Sequence, residues 1–209
     1  MTQILLVEKS ANFEISTTAR PTRLVVDPRN QLLKPAGAVF SVRSFERELD
    51  QTLIVYGTGS EEASLREAAE LLQRRIATQW SNYSVPIKGE RDVTDHDLRT
   101  HHLLLVGRPA MNSIVTRFSD ALPVKFGSGS FTVAGNTYAH PSSALIAAAT
   151  NPENARFSLV VLAGLSAEST RTVVQSKPSG CELWLCPSGT TAHPLVLPAR
   201  DLTVEFLRE

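Results

Sequence analysis

Three stretches of this chain carry residue types that could do chemistry. Gly57-Thr58-Gly59 could form a phosphate-binding turn, since glycines let the backbone approach an anion just ahead of a helix N-terminus. Gly164-Leu165-Ser166-Ala167-Glu168 places a serine at the turn after a strongly apolar run, as in a nucleophile elbow. His96, His101 and His102, interleaved with Asp95 and Asp97, combine imidazole with carboxylate, the usual material of a metal site or a general base.

Each pattern is incomplete. The dinucleotide fingerprint needs a third glycine three residues after Gly59, where this chain has Glu62, and Glu61 and Glu62 would repel a phosphate. A plain tight turn is the simpler reading, and no GxxxxGK[ST] loop is present. In the serine motif Glu168 replaces the second glycine and would crowd the elbow. His193 precedes Asp201, the reverse of the α/β-hydrolase order, although triads recur in several orders. Ser166 therefore reads better as a helix N-cap. His101 and His102 are adjacent, so on a strand they point to opposite sides and do not chelate one ion together, and there is no HExxH. A solvated loop with satisfied histidines is the expectation, and His140 and His193 each precede a proline, as is common in loops. Cys181 and Cys186 are five residues apart. On a strand they would face opposite ways, roughly 16 Å apart, as two free thiols. Nothing here calls for a cofactor or a metal.

Leu103-Leu104-Leu105-Val106 has no polar face, as expected of a strand covered on both sides, and Gly107 and Pro109 end it. Leu53 to Tyr56 and Ser158 to Ala163 have the same character, and Ser143 to Ala149 is a further apolar strand. Leu65, Ala68, Ala69, Leu72, Ile76 and Trp80 recur at three- and four-residue steps, which predicts a helix from Ser64 to Trp80, capped by Ser60 or Ser64. Tyr83 to Lys88 reads as a shorter strand, Thr94 to Leu98 as a capped turn or short helix, and Asn112 or Ser113 as the cap of a helix towards Asp120. Glycine-rich turns at Gly127 to Ser130 and Ala134 to Thr137 predict a hairpin and a further turn. A last helix should run from about Ser166 to Gln175, and the tail could add one edge strand. Strands separated by helices give an α/β fold, a three-layer, mostly parallel sheet of Rossmann-like or flavodoxin-like type. Residues 51–209 would form that domain, 1–35 a short β-rich N-terminal element with strand candidates at Ile4 to Val7, Phe13 to Ile15 and Leu24 to Val26, and 36–50 a linker from which Phe40 and Phe45 could dock.

At 209 residues the chain can bury one good-sized core. Its 21 Lys and Arg balance 21 Asp and Glu, which argues against a nucleic-acid partner. No apolar run approaches the roughly 20 residues of a membrane span, and the N-terminus lacks a signal-peptide pattern. In such a fold a ligand would enter at the carboxyl ends of the strands, which nominates Gly57, Thr58, Gly59, Gly107, Arg108, Asn112, Gly164 and Ser166.

Asp92-Val93-Thr94 to Leu98, Leu103 to Pro109 with Asn112, Leu122-Pro123, and Thr150-Asn151-Pro152 followed by Phe157 to Gly164 resemble a region found after the catalytic domain of large bacterial hydrolases, peptidases and esterases among them. Arg20-Pro21-Thr22-Arg23-Leu24-Val25-Val26-Asp27-Pro28 through Leu32-Leu33-Lys34 is similar to the closing strands of the β-domain in zinc aminopeptidases of the alanine aminopeptidase type. That family's HExxH and its glycine-rich exopeptidase motif are missing. The resemblance implies a C-terminal accessory part whose partner is an adjoining catalytic domain of the same polypeptide, and it carries over no catalytic residue. Two other readings stand beside it, a small-molecule or nucleotide-binding domain and a serine hydrolase using Ser166.

Overall fold

A computed structural model describes residues 14–25, 40–79, 83–189, 192–195, 197 and 203–205. The chain divides into two units, 35–197 and 1–34 with 198–209. In the smaller, β1 (Arg23–Val25) pairs antiparallel with β12 (Thr203–Glu205), Leu24 opposite Val204. Ile15 is in no strand and is exposed. The strand candidate at Ile4 to Val7 lies outside the described residues.

The larger unit is built on one seven-stranded sheet. Its strands are β2 (Thr52–Tyr56), β3 (Ile87–Gly89), β4 (His102–Val106), β8 (Ala144–Thr150), β9 (Ser158–Gly164), β10 (Leu183–Cys186) and β11 (His193–Leu195), ordered β11-β10-β8-β9-β4-β2-β3. The neighbours β3, β2, β4 and β9 are mutually parallel. Antiparallel pairing then runs from β9 to β8, β10 and β11. The fold is α/β with a mixed sheet whose core is parallel.

Alternation along the strands separates two cores, because successive side chains leave opposite faces. Ile54, Leu104, Val106, Ile146 and Val160 share one cluster with Leu65, Ala68, Leu72 and Ile76 of α1 (Glu62–Gln79) and Val173 and Val174 of α4 (Ala167–Val174). Leu53, Val55, Leu103, Leu105 and Val161 share the other with Leu98 of α2 (Asp95–Thr100) and Ile114 and Val115 of α3 (Ser113–Arg117). This second face is completed by a meander of β5 (Lys125–Gly127), β6 (Ser130–Val133) and β7 (Asn136–Tyr138), which inserts Phe131 and Val133. Its β6–β7 turn places Ala134 and Gly135 at φ 49° and 83°, the left-handed pair of a primed hairpin turn.

Several local expectations change. Helix α1 begins two residues before Ser64, which therefore lies inside its first turn and cannot cap it. Ser60 donates instead to the Met111 sulfur at 3.3 Å. Trp80 lies outside the described residues. Strand β3 is shorter and later than predicted, with Tyr83 to Pro86 outside it and the Pro86 carbonyl accepting from the Ile54 amide. His102 is no loop residue: it opens β4 and is 4 % exposed. His193 likewise lies on edge strand β11, opposite Leu185. Cys181 precedes β10, so strand alternation does not reach it, and both thiols pack towards the same cluster. They are free.

Residues 41–51 belong to the core of this unit. Val42 and Phe45 are buried in the first cluster, the Val42 amide donates to the Cys181 carbonyl, and 3-10 turns at Ser44–Arg47 and Leu49–Gln51 lead into β2.

Candidate functional site

The nominated residues gather at one edge of the sheet, because β2, β4 and β9 run parallel and end at Tyr56, Val106 and Gly164. After β2 the chain crosses by α1 on one face towards β3, and after β4 it leaves by α3 on the other, towards the β9 side. Connections therefore leave β2 and β4 in opposite directions, and such a switch point opens a crevice between Gly57 and Gly107.

In this protein the crevice is filled from within. The turn Gly107 to Asn112 folds back over it, allowed by a left-handed Gly107 at φ 113°. Gly57 lies against this turn so closely that a Cβ there would sit 2.7 Å from the Met111 carbonyl carbon. Asn112 is fully buried. Its amide nitrogen donates to the Val106 carbonyl at 3.2 Å and the Val55 carbonyl at 3.5 Å, and its oxygen accepts from the Ile114 and Val115 amides, which makes it the α3 cap.

A carboxylate occupies the place expected for an anion. The Thr58 amide and hydroxyl both donate to Glu90 Oε1 at 3.0 Å, while the Ser113 amide and hydroxyl donate to Oε2. Burial pushes the Glu90 carboxyl up, but these four donors outweigh it and hold the group below its ordinary range. Arg91 donates to the Thr58 carbonyl, and Arg108 forms a two-pronged pair with Glu61 at 2.5 and 3.0 Å. Sequence patterning missed Glu90, whose role follows only once β3 is known to run parallel to β2 and to end at the same edge.

At the end of β9, Gly164 is buried against α4, and its amide donates to Thr170 Oγ1 at 3.0 Å. Ser166 caps α4 in a reciprocal box with Ser169 and also donates to the Pro141 carbonyl at 3.0 Å. His193 stands in the register row of Leu185, Leu145 and Ala163, three strand spacings from β9. At about 4.8 Å per spacing that is roughly 14 Å, beyond hydrogen-bond reach of Ser166. Asp201 lies outside the described residues.

Beside the filled crevice an open cleft of about 670 Å³ runs between the Arg108 to Met111 turn and the β5–β6 hairpin, with Leu165 at one end. Arg108 is the one nominated residue that lines it. Among the described residues no group of three or more metal-ligating side chains comes together, and no helix is long and apolar enough to cross a membrane. No protein-family model matches the chain, and no curated protein does either.

Proposed function

We propose that the chain is a non-catalytic accessory α/β domain of a peptidase- or hydrolase-like polypeptide, acting by packing on an adjoining catalytic domain and by binding rather than by turnover. Its parallel strands follow the order second, first, third, fourth, which supports a flavodoxin-like arrangement. The observation that carries the functional reading is Asn112 buried across the ends of β2 and β4, where a flavodoxin-like protein would hold its ligand. Thr58, Ser113 and Ser166 are committed to internal hydrogen bonds in the same way. Chromogenic esters and aminoacyl anilides offered to the purified chain should show no turnover above buffer. Turnover that disappears in Ser166→Ala would overturn the reading and favour the serine hydrolase. The adjoining domain is tested by the mass of the native polypeptide in its source cells, which should lie far above 22.8 kDa.

A second reading, a small-molecule-binding domain, is favoured by the cleft beside the β5–β6 hairpin, whose volume falls in the usual range for ligand sites. Saturable thermal stabilisation by a small molecule, lost when Lys125 and Phe126 are replaced, would support it. Flat melts across a nucleotide panel would remove the nucleotide-binding version.

A further inference from the structure

A second cavity, of about 820 Å³, opens at the opposite edge of the sheet, where β4 and β9 begin. His102 reaches its floor, Phe40 and the residues to Glu48 form one wall, and Gly180 and Glu182 another. Its wall is richer in charge than a typical small-molecule pocket, with three arginines and three glutamates around it.

The charges are equal in number but unequally engaged. Glu46 accepts from Arg43 Nε at 2.8 Å. Glu48 is shared between Arg156 at 3.2 Å and His102 Nε2 at 3.3 Å. Each guanidinium offers five N–H donors. Arg43 uses its Nε, and Arg156 directs one nitrogen to Glu48 and the other to Gln51. Arg47 is exposed and has no ion-pair or hydrogen-bond partner among the described residues. All three guanidiniums thus keep N–H donors beyond those bonds at the cavity wall. A guanidinium fork matches a planar carboxylate or a phosphate oxygen pair. Phe40, half-buried and edge-on to His102 at 6.2 Å between ring centres, adds an apolar aromatic surface on the wall.

We propose that this cavity binds a small organic anion, a carboxylate or phosphate monoester on a flat apolar body, held by Arg47 and the spare donors of Arg43 and Arg156 and resting on Phe40. The site is independent of the proposed accessory role and of the cleft at the other edge.

The test is titration of the full chain, followed by amide chemical shifts, with benzoate, phenyl phosphate, inorganic phosphate, benzamide and benzylamine. Benzoate or phenyl phosphate should saturate and shift amides of residues 40–48, 102 and 156, with affinity falling as salt is raised. Arg47→Gln should weaken binding roughly tenfold or more at an unchanged melting temperature, and Phe40→Leu should weaken it less. Arg66→Gln, on the exposed face of α1, should leave it unchanged. Benzamide or benzylamine binding as tightly as benzoate would remove the anion preference, and inorganic phosphate binding as tightly as phenyl phosphate would remove the organic class. Unaltered affinity in Arg47→Gln, or no saturation by either aromatic anion, would overturn the site itself.

Discussion

The Ser158 amide donates to His102 Nδ1 at 2.9 Å, and the Ser158 hydroxyl lies 2.8 Å from the same nitrogen. A nitrogen that accepts a backbone N–H carries no proton, so His102 is neutral and its hydrogen sits on Nε2, towards Glu48. Burial pushes its pKa below the ordinary value, while Glu48 opposes and Arg156 and His101 reinforce the shift. Well above the ordinary histidine value of 6.5 both folded and unfolded chains are neutral at this residue. Below it the unfolded chain takes up a proton that the folded one resists, so stability declines as pH falls. Urea midpoints measured from pH 7.5 to 5 should drop, and His102→Gln should flatten the slope in that window. An unchanged slope in the variant would place the titration elsewhere.

Removing the Glu90 carboxylate should release two amides at once. Glu90→Ala leaves the Thr58 and Ser113 donors without their acceptor, at a cost on the order of 1–3 kcal/mol. Hydrogen exchange at Thr58 and Ser113 should accelerate together, and added acetate should partly restore protection. Exchange that changes at only one of the two would mean that the carboxylate does not bridge them.

Close backbone packing predicts a graded glycine series. Alanine at Gly57 drives its Cβ into the Met111 carbonyl, and at Gly164 into the α4 backbone, 2.6 Å from the Ser169 carbonyl carbon. Each should cost about 2 kcal/mol or more by overpacking. Gly180 has nothing within 4 Å of the added carbon, and its alanine variant should melt within a degree or two of the parent. Equal melting temperatures for all three would contradict the packing described for the filled crevice.

Asp97 ties α2 to edge strand β3. Its burial raises the carboxyl pKa, but Lys88 at 2.8 and 3.0 Å and the Thr94 amide and hydroxyl bring it down to about 2. The stabilisation is fully present above the unfolded value of 3.8 and is lost as pH falls towards 2. With Lys88 37 % exposed, screening holds the contribution to on the order of 1–2 kcal/mol. Asp97→Asn should lower the urea midpoint at pH 7 and blunt the acid transition between pH 4 and 2. An acid limb identical to the parent's would assign that transition to other carboxylates.

What the sequence disclosed was whatever burial writes into neighbouring positions. Leu103 to Val106 and Leu159 to Ala163 are apolar throughout because helices or the meander cover both sheet faces, and the α1 stripe is the imprint of one face alone. Asn112 and Ser166 were legible as caps because a cap bonds to amides two or three residues away. Contacts that join distant segments left no such imprint. Nothing near Ser158 indicates His102, and nothing near Thr58 indicates Glu90, 32 residues on. That Met111 and Asn112 fill the carboxyl ends of β2 and β4 depends on the path of one turn, which no local pattern records. The cavity at the other edge escaped notice because its walls come from residues 40–48, 102, 156 and 180–182.

Strand β9 pairs on one side with β4 and on the other with β8, and its partner Leu103 precedes Leu159 by 56 residues. During synthesis at about 5–20 residues per second, the hydrophobic β4 edge therefore waits roughly 3–11 s for its neighbour. Until then β4 offers unpaired backbone groups beside Leu103, Leu104 and Leu105, a template open to any other extended chain. Nascent chains halted between Val106 and Ser158 carry this open edge, which makes them prone to aggregate and to engage chaperones.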